Sequence, residues 1–287
     1  MFKYILMVFA GAGSYGILST LVRLTYDEGY NAAQVSFLQA LLGAMVLWIM
    51  VALQRKPVRR MGMRTLFLLL LTGSAIGLTT WLYYLSVQYI PASIAIIMLM
   101  QFTWLTVLFD WLLLNNVPGV RLLIAITLIL AGTVLAAGGN GAGVPFSLKG
   151  LLIAFASALA YALYIVANSR VGREHAPVTR SAIIVSGAAL TILLVNCRTL
   201  SEGFPVTLSF GKWIGLLTLF GTIIPPVLFA KGIPKIGVSL SSVLMVAEMP
   251  VAIVCACVVL KEQVSGVQWV GMVLMLGAMV YLNINRR

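Results

Sequence analysis

Apolar runs of close to twenty residues, broken by short clusters of charge, glycine or proline, recur along the whole chain. A hydrocarbon layer about 30 Å thick needs roughly 20 residues of α-helix, so each run has the length of a membrane crossing. The breaks predict ten transmembrane helices near residues 3–24, 31–53, 65–88, 91–114, 119–137, 149–169, 179–197, 212–231, 236–259 and 265–284. The connections are short, and any chemistry is expected inside the bundle or at its mouths. The fold class is an all-α polytopic membrane protein.

Composition agrees with that pattern. Of 287 residues, 61% are hydrophobic and 9% charged, far from the roughly half-apolar, quarter-charged make-up of soluble domains. Residues Met1–Ala12 have the outline of a signal peptide, with Lys3 before an apolar run and Ala10-Gly11-Ala12 as a cleavage-like site. The run continues to Val22, however, and its counterpart returns in the second half, so it is read as a retained first helix.

The net charge of +12 first suggests a nucleic-acid partner. Its basic residues flank helices instead of forming a soluble arm, and no nucleic acid is expected. With the N-terminus inside, the inner segments hold Lys3, Arg55, Lys56, Arg59, Arg60, Arg64, Arg121, Arg170, Arg173, Arg180, Lys231, Lys235, Arg286 and Arg287. Only Arg23, Lys149, Arg198, Lys212 and Lys261 fall outside. The positive-inside rule therefore predicts both termini in the cytoplasm and a bacterial-type inner membrane.

The chain also pairs with itself. At a shift of 146 residues Tyr15 meets Tyr161, Ala12 meets Ala158 and Ser93 meets Ser239; later, a shift of 145 pairs Gly132 with Gly277. Residues 1–140 and 141–287 are read as two repeats of five helices. An odd number of crossings makes them inverted, the arrangement of carriers that expose one site to two sides in turn.

Two stretches of the second half carry a resemblance: Ser241-Ser242-Val243-Leu244-Met245-Val246-Ala247-Glu248-Met249-Pro250-Val251-Ala252, and Leu260-Lys261-Glu262-Gln263 leading to Gly271. They resemble the ninth-to-tenth helix signature of the EamA branch of the drug/metabolite transporter superfamily. Within it, the aromatic third and fourth helices are most similar to those of YddG-type amino-acid exporters. The resemblance implies export of small metabolites through a cavity lined mainly by helices 1, 3, 4, 6, 8 and 9. The first half departs from the signature: Phe102 stands opposite Glu248, and Asn115-Asn116 opposite Lys261-Glu262.

Several residues are candidates for the cavity. Glu248 falls midway along helix 9, where a carboxylate is costly unless it binds a cation or proton, or caps opened backbone. Trp81 and Tyr84 share a face of helix 3, Gln101 and Trp104 a face of helix 4, and Tyr161, Tyr164 and Asn168 a face of helix 6. With Tyr15, Ser242 and Met245 they form the expected lining, combining apolar area with hydrogen-bonding tips. Gly221, Pro225 and Pro226 mark a kink in helix 8 and a candidate hinge. Pro91 and Pro234 are read as starting helices at turns, Asp110 as an end residue pairing with a base such as Arg121, and His175 as solvated. Cys197, Cys255 and Cys257 are read as buried apolar residues; the last two diverge by about 200° on a helix and suit neither one metal nor a disulfide.

No phosphate-binding G-x-x-x-x-G-K-[S/T] loop is present, so ATP is not expected as a partner, and no cofactor or metal is expected. No nucleophile stands with a base, and no enzyme is expected. These features predict a secondary carrier of small solutes working by alternating access, exporting neutral amino acids, aromatic ones among them, as the resemblance implies. The alternatives are a proton-coupled drug or metabolite exporter and, in another class, a membrane enzyme or signalling protein.

Overall fold

The computed structural model describes residues 2–53, 61–90, 92–136, 147–201, 208–259, 261 and 264–284. Pro91, Leu260, Glu262, Gln263, Arg55, Lys56, Arg59, Arg60, Arg286 and Arg287 lie outside them, as does the boundary at residues 140 and 141. Seven crossings are continuous: α1 (Phe2–Asp27), α2 (Ala32–Leu53), α3 (Met63–Ser86), α5 (Val120–Ala136), α6 (Leu148–Arg170), α7 (Pro177–Val195) and α10 (Gly266–Ile284). Three are interrupted. α4 comprises Ala92–Met100 and Phe102–Leu114, and α9 comprises Val238–Met245 and Glu248–Val259. α8 runs through Leu208–Leu217, a π-turn at Thr218–Ile223, and Ile224–Ile236. A short helix, Cys197–Ser201, follows α7 where only a connection is expected.

Eight crossings have the length and apolar character of membrane spans; α5 and α10 are shorter apolar helices. Trp48, Ile49, Leu194, Val258 and Val273 stand exposed on the outside of the bundle. In water such a surface would associate, whereas against lipid it is solvated. The chain is a polytopic membrane protein of two five-helix repeats. The face where α1 begins is called near, and the opposite face far.

The repeats interleave. α1 packs on α8 and α9, and its counterpart α6 packs on α3 and α4; α5 pairs with α10. Small residues permit the closest approaches. A Cβ on Gly73 would collide with the carbonyl oxygen of Ile184, one on Gly187 with that of Leu70, and one on Gly271 with the backbone of Ala136.

The interruptions repeat at the same shift of 146. Gln101 breaks α4 and Ala247 breaks α9, each N–H turning to the carbonyl three residues back at 3.2 Å, Met98 and Leu244 respectively. Left-handed backbone occurs at Asn115 (φ 54°) and Lys261 (φ 55°), again one shift apart. Asn115 and Lys261, which differ between the halves, thus share one backbone conformation. Between α8 and α9 the chain reverses at Gly237 alone, whose φ of 87° suits a residue without Cβ.

Four expectations need correction. Pro234 lies inside the last turn of α8 instead of beginning a helix. Asp110 is buried and accepts hydrogen bonds from Asn116 Nδ2 and Ser239 Oγ, both at 2.9 Å, with no ion pair to Arg121 among the described contacts. His175 is buried beside Glu174, its Nε2 3.3 Å from the carboxylate. The cysteines are not buried: Cys197 is exposed, because it starts the short helix beyond α7, and Cys255 and Cys257 are half-buried.

Candidate functional site

A cavity of about 400 Å³ runs from mid-depth toward the far face, within the size range of small-molecule sites. Its floor is aromatic. Tyr15 meets Tyr161 edge-on with ring centroids 6.5 Å apart and Phe229 at 5.6 Å, while Tyr161 lies 4.7 Å from Phe102 and stacks on Tyr164 at 6.2 Å. Tyr83, Tyr84 and Tyr26 continue the wall upward, and the exposed Arg23 stands at the mouth.

Glu248 is at the floor. The break in α9 makes it the first residue of a new helical piece, where the helix N-terminus favours a carboxylate. Gly16 allows this approach, since a Cβ there would stand 2.5 Å from the Glu248 carbonyl oxygen. The side chain is half-buried and its Oε2 has no protein hydrogen-bond partner. Tyr15, Tyr83, Tyr84 and Tyr161 line the same cavity.

The π-turn of α8 forms another wall. Ile224 N–H bonds to Leu219 O, five residues back. In that register the next donor would be Pro225, which has no N–H, so the Phe220 carbonyl is left open. Ser14 of α1 donates to it at 2.6 Å. Thr218 and Thr222 turn their hydroxyls to the Gln39 carbonyl of α2, at 3.4 and 3.2 Å. Three side-chain hydrogen bonds thus tie this turn to two neighbouring helices.

Below the floor, polar contacts tie the described residues together. Arg180, 2% exposed, donates to Ala230 O at 2.9 Å, Asn168 O at 2.7 Å and Asn168 Oδ1 at 3.1 Å. Asp110 and Ser239 join the two repeats on the same side. At the far face Glu28 links the α1–α2 connection to α8. It accepts from Trp213 Nε1 at 2.7 Å and Ser209 Oγ at 2.8 Å. The Trp213 hydrogen bond, followed by that of Ser209, holds the Glu28 carboxyl below its ordinary range.

Of the residues expected at the site, Tyr15, Tyr84, Tyr161 and Glu248 line the cavity, as do Gly221 and Pro226. The others do not. Trp81 turns instead toward the Ala40, Ala189 and Ile192 cluster. Gln101 spans the broken turn of α4, donating to Ile97 O at 3.1 Å and accepting from Trp104 Nε1 at 2.8 Å, so both are engaged in the break. Tyr164 and Asn168 lie below the floor, joined at 3.4 Å. Ser242 donates to Ser239 O at 2.9 Å, Met245 is fully buried, and Pro225 is packed within α8.

The cavity also includes residues that helical faces did not indicate. α2 and α7 contribute walls, through Ser36, Gln39 and Ala40 and through Val185, Ala188 and Ile192. Gln39 carries a legible signal, a polar amide in mid-run, because such a group in a membrane helix turns inward. Tyr83 and Arg23 carry none that separates them from an interfacial belt.

The comparisons with known proteins agree with this architecture. The EamA-like transporter family model matches residues 2–138 and 148–284, and the chain belongs to that family. It is 28% identical over 208 residues to an uncharacterized transporter, sll1319, of Synechocystis sp. (strain ATCC 27184 / PCC 6803 / Kazusa). That match covers 70% of this chain and spans 62% of the relative's length. A protein known by its crystal structure superposes with a TM-score of 0.82 at 20% identity, over 98% of this chain and 96% of the other, which shows the fold alone.

Proposed function

We propose that this protein is a secondary transporter that exports amino acids and related small amphipathic solutes across the bacterial inner membrane by alternating access. The observation that carries the reading is Glu248, a carboxylate on the floor of a tyrosine-lined cavity with Arg23 at its mouth. An ammonium group suits the floor, an apolar or aromatic side chain the tyrosine walls, and a carboxylate the basic mouth. With both termini cytoplasmic, as the basic residues predict, the cavity faces outward and the Asp110–Ser239 side is the closed cytoplasmic gate. Family membership supports a transporter role; amino acids as cargo and export as direction belong to this proposal.

The test is counterflow of labelled neutral amino acids into liposomes carrying the purified protein, with and without a pH gradient. Saturable uptake that Glu248→Gln impairs, with folded yield unchanged, is the expected result. Acceleration by the gradient would favour the proton-coupled alternative, for which the enclosed Glu248 is the acceptor at hand. Absence of uptake of any amino acid above empty liposomes, from folded protein, overturns the assignment.

A further inference from the structure

We propose that the cavity selects primary ammonium groups over N-methylated ones, and that Gln39 sets this preference together with Tyr161 and Glu248. The inference rests on the transport reading above and specifies its substrate class. Three buried oxygens on residues lining the cavity have no hydrogen-bond partner in the protein: Glu248 Oε2, Gln39 Oε1 and Tyr161 Oη. A fourth, Tyr26 Oη, lies farther toward the mouth.

Buried polar atoms are ordinarily paired, because an unpaired one keeps its desolvation penalty with no return. Among the described residues eight such atoms occur; four are on residues of this one cavity, and Thr20 Oγ1, Thr106 Oγ1, Arg180 Nε and Ser181 Oγ are on residues outside its lining. Carboxylate and amide oxygens only accept, and a phenol oxygen can accept, so the set calls for a donor. A primary ammonium brings three N–H donors, matching the three oxygens in number. Each N-methylation removes a donor and adds bulk.

Gln39 is held for this task. It is a polar residue, 6% exposed, one turn beyond Ser36 on α2, and the helix from Ala40 to Leu53 is free of hydroxyl, amide and charged side chains. Its backbone carbonyl is fixed by the hydroxyls of Thr218 and Thr222 of the π-turn, while its side-chain oxygen stays open. Opposite its amide is Gly221, where a Cβ would stand 2.5 Å from Gln39 Nε2. The glycine leaves room for the amide, and the π-turn sets its height beside the cavity. Tyrosine faces alone attract any cation, methylated or not. Unpaired acceptors instead reject an analogue lacking the hydrogen they were placed to receive.

The experiment uses the full chain in liposomes, with labelled L-phenylalanine as probe and its N-methyl, N,N-dimethyl and N,N,N-trimethyl derivatives as competitors. Competition is expected to weaken by about tenfold at each methylation, so that the trimethyl form is the weakest competitor. Gln39→Met should weaken phenylalanine about tenfold while leaving the trimethyl form unchanged, and Gln39→Glu should keep the preference. Tyr161→Phe gives the same readout if the Gln39 variant fails to fold. Equal competition by all four forms overturns the inference and leaves the transport reading standing; so does an equal loss for both ligands in the variants. If no form binds or is carried by the folded protein, the transport reading falls and takes this inference with it.

Discussion

Ser14 on α1 donates its hydroxyl to the carbonyl oxygen of Phe220 on α8 at 2.6 Å, closing the backbone gap that Pro225 opens in the π-turn. Removing the donor strands a buried acceptor, which costs about 1–3 kcal/mol. Ser14→Ala should therefore lower thermal stability in detergent measurably, and Ser14→Thr should recover most of it. Restoring an N–H with Pro225→Ala should shrink the Ser14 effect, because the helix then supplies its own donor. Additive effects of the two substitutions would show that hydroxyl and proline act separately.

The glycines of the bundle differ sharply in what they allow. Gly73 and Gly187 bring α3 and α7 into backbone contact, and Gly271 does so for α10 against α5. Alanine at any of them must push two helices apart, a cost of about 1–3 kcal/mol or more, read as lost folded yield. Gly277 faces open space, so Gly277→Ala should be neutral or gain roughly 0.5–1 kcal/mol from helix propensity. Gly132 belongs to the same close approach of α5 and α10: a Cβ there would stand 2.7 Å from Met275 Cγ and 2.8 Å from the Gly271 carbonyl oxygen.

The crossings were legible because twenty-residue apolar runs leave few alternatives in a bilayer, and Glu248 because a carboxylate in such a run is conspicuous. Helical spacing brought Tyr84 and Tyr161 to the cavity but not Trp81, because it gives no depth and does not say which neighbour a face meets. Tyr164 and Asn168 share a stripe with Tyr161, yet the floor passes between them, and Arg180 occupies the lower part. Gln101 was drawn elsewhere by the break in α4 beside it, a feature that apolar runs conceal. The π-turn was legible only as Pro225-Pro226, without its partners Ser14 and Gln39.

At the far face, Glu28 should report acidification. Its carboxylate accepts from Trp213 and Ser209, with Lys212 adjacent over the Trp213 ring at 5.2 Å from the centroid. Because its folded value is depressed, the contact is present above the unfolded value and is lost as pH falls through the folded one. The difference in fluorescence between wild type and Trp213→Phe should titrate with a midpoint below the ordinary glutamate value of about 4.3. Glu28→Gln should abolish that transition. A midpoint at or above the ordinary value would contradict the hydrogen-bonded carboxylate.

On the near face one hydrogen bond between the repeats is open to direct test. Asp110 of α4 takes Ser239 Oγ of α9 on one oxygen and Asn116 Nδ2 on the other, each at 2.9 Å. A hydrogen bond to a charged group contributes about 1.5–3 kcal/mol, roughly a tenfold or greater bias toward the closed state. Ser239→Ala removes only the link across the repeats, and Asp110→Asn weakens both bonds. With Cys197, Cys255 and Cys257 replaced by serine, Ser242→Cys supplies a thiol at a position that is fully buried below the cavity floor. Its reaction with a membrane-impermeant reagent applied from the near face should be slow in that background and about tenfold faster once Ser239→Ala is added. Because Ser242 Oγ bonds to the backbone carbonyl of Ser239, the effect must also appear with Asp110→Asn, which leaves that carbonyl in place. Unchanged labelling in both variants would mean that the packed aromatic floor, and not this polar link, holds the near side shut.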